Sequence, residues 1–286
     1  MTASMQGKTV LLTGANSGIG KVAALALAKA GATLTMVSRD PARGGAALAE
    51  VREASGNPRV ELLIADLASM SQVRKLAADF MKNHGELHVL MNNAGGMIGA
   101  RCVTEEGYEA TFAGNHLGPF LLTNLLLALL KKSAPARVIN TASMASRWGT
   151  MDFDDLHLEK GYGQQKAYAR SKLANIMFTR ELAKRLDGTG VTTVALHPGV
   201  VATRFGQTAN AFMRTLTAIG APFLLSPEKG ADTLIWAATA PEAQTLNGVY
   251  LARRKVRTPP PLALDDEIAK RLWDVSAHLT RLEPSP

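Results

Sequence analysis

Near the start of the chain, Thr13-Gly14-Ala15-Asn16-Ser17-Gly18-Ile19-Gly20 restricts the possible fold more than any other stretch. Ahead of it, Lys8 to Leu12 is a β-branched and aliphatic run of the kind that makes a buried parallel strand. Behind it, Lys21 to Ala30 is rich in Ala and Leu, the best apolar helix formers. Strand, glycine turn and helix bring free backbone N–H groups and the positive end of a helix dipole to one point, which suits a phosphate. Gly14 allows a tight turn, Gly18 lets a pyrophosphate approach the backbone, and Gly20 lets helix and strand pack closely. The spacing is GxxxGxG rather than the commoner GxGxxG, and glycine turns also occur without ligands.

The rest of the chain repeats the strand–helix alternation. Strands are expected at Ala32–Ser38, Arg59–Ala65, Leu87–Met91, Arg137–Ala142, Val191–His197 and Val249–Leu251. Helices are expected from Asp40-Pro41, read as an N-cap and a first-turn proline, to about Ala54. Others run from Ser69 or Ser71 to about His84, Gln164 to Leu186, Pro227 to Ala240 and Asp265 to Leu279. One long helical stretch, Thr104 to Lys132, is expected to bend or break near Gly114 and Gly118-Pro119. No linker divides the chain. The pattern predicts one α/β domain over residues 1–286, a Rossmann-type doubly wound parallel sheet of about seven strands with helices on both faces.

Bulk properties narrow the function classes. A single cysteine, Cys102, forms no intrachain disulfide and fits a reducing compartment. Met1 to Gly7 has no basic-then-apolar organisation. The longest greasy run, Phe120 to Leu130, holds Thr123 and Asn124 and is too short to span a bilayer. A cytoplasmic protein without a membrane span is expected. The net charge is +8, but the basic residues are dispersed apart from Arg253-Arg254-Lys255 with Arg257. A solvated surface and one anionic cofactor account for that charge without nucleic-acid binding. The six histidines show no ligand spacing, so no metal is expected.

On a doubly wound sheet ligands bind at the carboxyl ends of the strands. Those ends hold the Gly14–Gly20 turn, Ser38-Arg39, Asp66, Asn93, Ser143 and Pro198-Gly199, with Tyr168 and Lys172 one helical turn apart nearby. Together these residues resemble the classical short-chain dehydrogenase/reductase family from about Lys8 to Tyr250. Its TGxxxGxG stands at Thr13–Gly20, its NNAG at Asn92–Gly95, its active-site Asn at Asn115, its Ser at Ser143 and its YxxxK at Tyr168–Lys172. Within the family, Asn115-His-Leu-Gly-Pro-Phe, Ser171-Lys-Leu-Ala-Asn175 and a long Ser-to-Tyr insert resemble the retinol dehydrogenase-like subgroup.

The resemblance implies roles. Tyr168 exchanges a proton with the substrate oxygen, Ser143 hydrogen-bonds that oxygen, Lys172 acidifies Tyr168 and holds the nicotinamide ribose, and Asn115 anchors a water leading to solvent. An ammonium about 4 Å from a phenol contributes roughly 4 kcal/mol at an effective dielectric near 20, enough to lower its pKa by up to roughly three units before desolvation opposes it. The cofactor contacts implied are Gly14, Asn16, Ser17, Gly18, Ile19, Gly20, Asp66-Leu67, Asn93-Ala94-Gly95, Pro198, Gly199, Val201 and Thr203, besides Tyr168 and Lys172. Purely structural roles stay open for these, for Asn93 above all.

Two choices remain at this stage. Tyr162-Gly-Gln-Gln-Lys166 also spells YxxxK, but Gly161 and Gly163 flank Tyr162, whereas Tyr168 opens a sustained helical pattern. Ser143 lies 25 residues before Tyr168, farther than is usual in the family, leaving Thr141 and Ser146 as local rivals. At the end of the second strand, Ser38 stands where NAD-specific folds place a carboxylate for the ribose diol. With Arg39 next to it to meet a 2′-phosphate, NADP(H) is favoured over NAD(H); Asp40 binding the diol is the alternative.

The subgroup implies an apolar aldehyde, ketone or alcohol as substrate, hence a carbonyl reductase or alcohol dehydrogenase. Its animal members often carry a membrane anchor, and none is expected here. Phe205 to Leu225 reads as a substrate lid or as a core or subunit-facing helix. Gly118–Lys132 and Gln164–Leu186 occupy the places where family members pair, which implies a homodimer or homotetramer. A non-catalytic dinucleotide-binding sensor is the competing function.

Overall fold

The structure, a computed structural model, describes residues 2–201 and 225–282. The first strand, β1 (Thr9–Thr13), is buried along its whole length, and its side chains alternate between two apolar layers. Leu11 faces one layer; Val10 and Leu12 face the other. This two-sided burial is what a continuous aliphatic run without polar alternation demands. After the glycine turn, α1 (Gly18–Lys29) returns across the sheet to β2 (Thr33–Ser38).

Asp40 caps α2 (Pro41–Ser55), accepting from the Arg43 amide at 3.0 Å with Pro41 at the first helical position. Then follow β3 (Val60–Ile64), α3 (Met70–Asn83), capped by Ser69, and β4 (Val89–Asn92). The sheet order is β3-β2-β1-β4-β5-β6-β7-β8. Its remaining strands are β5 (Ala136–Thr141), β6 (Val191–His197), β7 (Val249–Ala252) and β8 (Lys255–Arg257). All neighbours are parallel except β7 and β8. The chain reverses direction across the sheet between β1 and β4, which opens a crevice at their carboxyl ends.

The eighth strand departs from the seven expected. Its three residues are all exposed, and the turn before it is Arg253-Arg254, both at positive φ (52° and 57°). Asn or Gly ordinarily marks such a turn, so the sequence carries no hairpin signal there.

The long helical stretch also differs from expectation. It begins at Ala110 rather than Thr104, because the Glu109 carboxylate accepts from the Thr111 and Phe112 amides at 2.8 and 2.7 Å. After α4 (Ala110–Phe112), residues Ala113–Leu117 widen into a π-helical turn that contains Gly114 and ends just before Gly118, the two positions expected to break the helix. Next come α5 (Gly118–Leu125) and α6 (Leu127–Lys132).

Beyond β5, α7 (Gln164–Arg185) is the longest helix among the described residues, and α8 (Pro227–Thr239) and α9 (Asp266–Leu279) complete the two layers. Helices α1, α2 and α8 cover one face of the sheet; α3, α5, α7 and α9 cover the other. No helix of the described residues is long and apolar enough to cross a membrane.

Candidate active site

Thr13, the last residue of β1, ties the glycine turn to the end of β4. Its hydroxyl donates to the Met91 carbonyl at 3.2 Å and accepts from the Asn93 and Ala94 amides, both at 3.0 Å. The Asn93 side chain donates back to the Thr13 carbonyl at 2.9 Å, while its Oδ1 is buried without a hydrogen-bond partner among the described residues. The turn has no room for side chains. A Cβ on Gly20 would stand 2.1 Å from the Gly14 carbonyl oxygen, and Gly14 itself lies at φ +69°.

Helix α1 begins at Gly18 without a side-chain cap from Ser17 and without an acidic residue in its first turn. Asn16 and Ile19, partly exposed, sit on either side of that start. Uncapped first-turn N–H groups beside a bare glycine cradle fit the pyrophosphate of a dinucleotide.

At the end of β2, Ser38 is buried and its hydroxyl is used locally, donating to the Asp40 carbonyl at 3.0 Å. Asp40 is committed to α2: besides the cap, its carboxylate accepts from Arg43 Nε at 2.8 Å. Arg39 projects outward, with its guanidinium 3.8 Å from Asp66 Oδ2. Asp66 holds its own loop by accepting from the Ala68 amide at 2.9 Å, and Leu67 is buried beside it. The most exposed charge at this strand end is therefore the Arg39 guanidinium, while the Asp40 and Asp66 carboxylates, both partly exposed, are engaged by local donors.

Tyr168, Ser143 and Lys172 come together at the ends of β5 and β6. Ser143 opens a 3₁₀ turn (Met144–Trp148), accepting from the Ala145 amide at 3.2 Å, and makes a side-chain hydrogen bond with Tyr168. Of its rivals, Ser146 donates its hydroxyl to the Ser143 carbonyl at 2.7 Å, and Thr141 presents its carbonyl to Lys172 Nζ at 2.8 Å. Lys172 Nζ lies 5.7 Å from the centre of the Tyr168 ring.

Burial pushes Tyr168 up to about 12 against the opposing pull of the Ser143 hydrogen bond, and burial brings Lys172 down to about 8. The expected lowering of the phenol by the ammonium does not appear: burial dominates, and Ser143 is the group that opposes it. Desolvation raises the phenol, and the same desolvation weakens the positive charge that would oppose it.

Asn115 stands in the π-helical turn, a feature that recurs at functional sites. Its amide group pairs with Gly96 in both directions at 2.8 Å and donates to Ser171 Oγ at 3.0 Å. Gly95 leaves space for both neighbours: a Cβ there would come within 3.0 Å of Lys172 Nζ and 3.2 Å of Asn115 Oδ1. Tyr162, the competing tyrosine, precedes α7 and donates its hydroxyl to the Ile98 carbonyl at 2.9 Å.

The long insert before Tyr168 is held by a residue that the motifs do not mark. Arg170 is only 1% exposed, and its guanidinium donates to the carbonyls of Thr150, Asp155 and Leu156 at 3.1, 2.5 and 2.8 Å. The signal was available: Arg170 lies three residues from both Ala167 and Leu173, on the apolar stripe of its helix.

Pro198 and Gly199 follow β6, with Gly199 at φ +94°. Val201 forms a parallel bridge with Leu225, and the Val200 carbonyl accepts from the Leu225 amide at 2.8 Å. Thr203 and all of the expected Phe205–Leu225 segment except Leu225 lie outside the described residues. Among the described residues no group of three His, Cys, Asp or Glu side chains is arranged to hold a metal.

Comparison with known proteins places the chain in a family. The short chain dehydrogenase family matches residues 8–214. Retinol dehydrogenase 13 of Homo sapiens is 44% identical over 98% of this chain and 87% of its own length. Among solved structures, an uncharacterised protein from Mycobacterium paratuberculosis aligns with TM-score 0.81 at 33% identity, covering 100% of this chain and 97% of that one. An NADP active-site complex of RhlG from Pseudomonas aeruginosa aligns with TM-score 0.70 at 28% identity over 93% and 98% of the two chains. The chain belongs to the short chain dehydrogenase family, as a retinol dehydrogenase-like NAD(P)-dependent dehydrogenase/reductase.

Proposed function

We propose that this protein uses NADP(H) to interconvert an apolar aldehyde or ketone with its alcohol, with Tyr168 as general acid and base. The observation that carries this reading is the Ser143–Tyr168 hydrogen bond beside the buried Lys172 amine, at the crevice where the glycine turn also ends. A bound nicotinamide dinucleotide supplies or accepts the hydride.

The chain's own groups then handle the proton. Tyr168, raised to about 12, holds its proton at neutral pH and donates it to the substrate oxygen as that oxygen gains charge. The single Ser143 hydroxyl proton serves one acceptor at a time, the Tyr168 oxygen before reaction and the substrate oxygen as charge builds on it. Lys172 lies against Gly95 and Asn115, where its amine restores the proton and its charge favours phenolate.

For cofactor choice, Arg39 offers a guanidinium to a 2′-phosphate while Asp40 is engaged in its helix cap. For substrate class, Met144 and Trp148, at the two ends of the turn that follows Ser143, are exposed apolar side chains, Trp148 at 71%. The exposed lone thiol of Cys102 fits a cytoplasmic, reducing setting.

The test is NADPH consumption over retinal, aliphatic aldehydes and ring ketones, by wild type and by two tyrosine variants. Tyr168→Phe should abolish turnover and Tyr162→Phe should retain most of it. The reverse ranking would overturn the assignment. Dinucleotide binding without turnover across the panel would favour a sensor.

A further inference from the structure

Three buried side chains beyond the implied catalytic set, with one backbone carbonyl, form a line ending at Lys172. His116 follows Asn115 in the π-helical turn and is fully enclosed, ringed by Phe112, Phe120 and Phe178 at centroid distances of 5.0, 6.1 and 6.2 Å. Its Nε2 is 2.9 Å from Ser276 Oγ on α9, and its Nδ1 is 3.3 Å from Asn175 Oδ1 on α7. Asn175 Nδ2 points to the Thr141 carbonyl at 3.3 Å, and that oxygen also receives Lys172 Nζ at 2.8 Å.

The chemistry of these groups fixes the direction of every bond. A carbonyl oxygen only accepts, so the Thr141 oxygen requires the NH₂ side of Asn175 and leaves Oδ1 facing His116. An amide oxygen also only accepts, so His116 carries its proton on Nδ1, and Nε2 accepts a hydrogen bond from the Ser276 hydroxyl. Burial, which holds His116 down at about 4, keeps the ring neutral as this pattern needs. Breaking any member strands a buried polar group at the next.

We propose that His116 is a positioning residue for Lys172, acting through Asn175 and the Thr141 carbonyl. Asn175 holds the carbonyl from one side so that it faces the lysine amine on the other, and His116 with Ser276 holds Asn175. The proposal rests on the reading of Tyr168 and Lys172 as the proton-transfer pair. It adds that α9 reaches that pair through Ser276.

Two measurements test it on the full-length chain. The first needs no substrate: long-range ¹H–¹⁵N spectra of the ligand-free protein at neutral pH should show His116 as the Nδ1–H tautomer. An Nε2–H tautomer overturns the relay. The second compares kcat and KM for an aldehyde that wild type reduces with NADPH. His116→Phe preserves the ring among its aromatic neighbours and should lower kcat about tenfold, the scale expected for loosened positioning, with KM changed less than about twofold. His116→Asn, which keeps a donor near the Nδ1 position, should recover most of that loss. Val73→Ala on α3 supplies destabilisation away from the crevice and should leave kcat unchanged. A kcat for His116→Phe within about twofold of wild type, or an equal loss in Val73→Ala, overturns the proposal. Turnover persisting in Tyr168→Phe would instead sink the underlying reading, while the tautomer still decides the relay.

Discussion

With its amine shut off from water, Lys172 titrates at about 8 rather than 10.5, and this makes a functional group a burden on the ligand-free fold. The sign follows from proton counting. Between about 8 and 10.5 the unfolded chain keeps a proton that the native chain has released, so stability rises with pH over that window. At about 1.4 kcal/mol per pKa unit, the rise amounts to about 3 kcal/mol at most. Tyr168 works the other way: its native pKa of about 12 exceeds the model-compound 10, so stability falls from pH 10 upward. The rise is therefore read cleanly between pH 8 and 10. Lys172→Met should abolish turnover yet make the ligand-free protein more stable at pH 7, and it should remove this alkaline rise. Urea midpoints measured from pH 7 to 10 check both effects; a variant less stable than wild type at pH 7 contradicts the argument. Gly95→Ala tests the same pocket from the other side. Its new methyl would meet Lys172 Nζ and Asn115 Oδ1, so turnover should fall with little change in melting temperature.

At the scale of elements, the end of β2 separates two roles that the sequence places side by side. Asp40 is held by the Arg43 amide and guanidinium, whereas Arg39 is 69% exposed at the crevice. Arg39→Ala should therefore lower the NADPH-to-NADH ratio of kcat/KM by about tenfold or more, as expected for loss of a charge-assisted contact. Asp40→Ala should weaken the α2 cap and leave that ratio alone. Steady-state kinetics with both cofactors decide this, and a ratio moved more by Asp40→Ala would favour the diol alternative. The cap was legible because Asp-Pro before a helical pattern has a local mechanism. The glycine turn, the Asn92–Gly95 strand end and the Tyr168 helix were legible for the same reason: each requires particular residues at fixed spacing. What could not be read depended on distant partners. The place of Arg170 on the apolar stripe of α7 was legible but its carbonyl partners in the insert were not, and β8 exists only because β7 offers an edge. The π-helical turn contains Gly114 and ends just before Gly118, but its widening is visible only in the folded chain.

Across the whole molecule, α9 occupies the surface through which the family resemblance implied pairing. Its Ala269, Leu272 and Ser276 are buried, and Trp273 packs edge-on against Phe120 at 4.9 Å and tilted against Phe178 at 5.8 Å. The Arg185 guanidinium lies 4.2 Å over the Trp273 ring, and Asp266 pairs with Arg180 at 3.1 Å and Lys184 at 2.7 Å. Residues 169–179 of α7 are buried within the single chain. Within the single chain α9 thus covers part of the α5–α7 face through which pairing was expected. The aromatic contacts should dominate this docking, since exposed ion pairs contribute little. Trp273→Ala should lower unfolding stability by about 3 kcal/mol, the usual scale for removing a large packed side chain. Asp266→Ala should change it by less than about 1 kcal/mol. By uncovering Phe120 and Phe178, Trp273→Ala should also introduce concentration-dependent association that wild type lacks on this face. Denaturant unfolding gives the first two quantities, and light scattering with Lys184 cross-linking gives the third. Wild-type subunits cross-linked through Lys184 on α7 would show that the face is open and that α9 does not seal it.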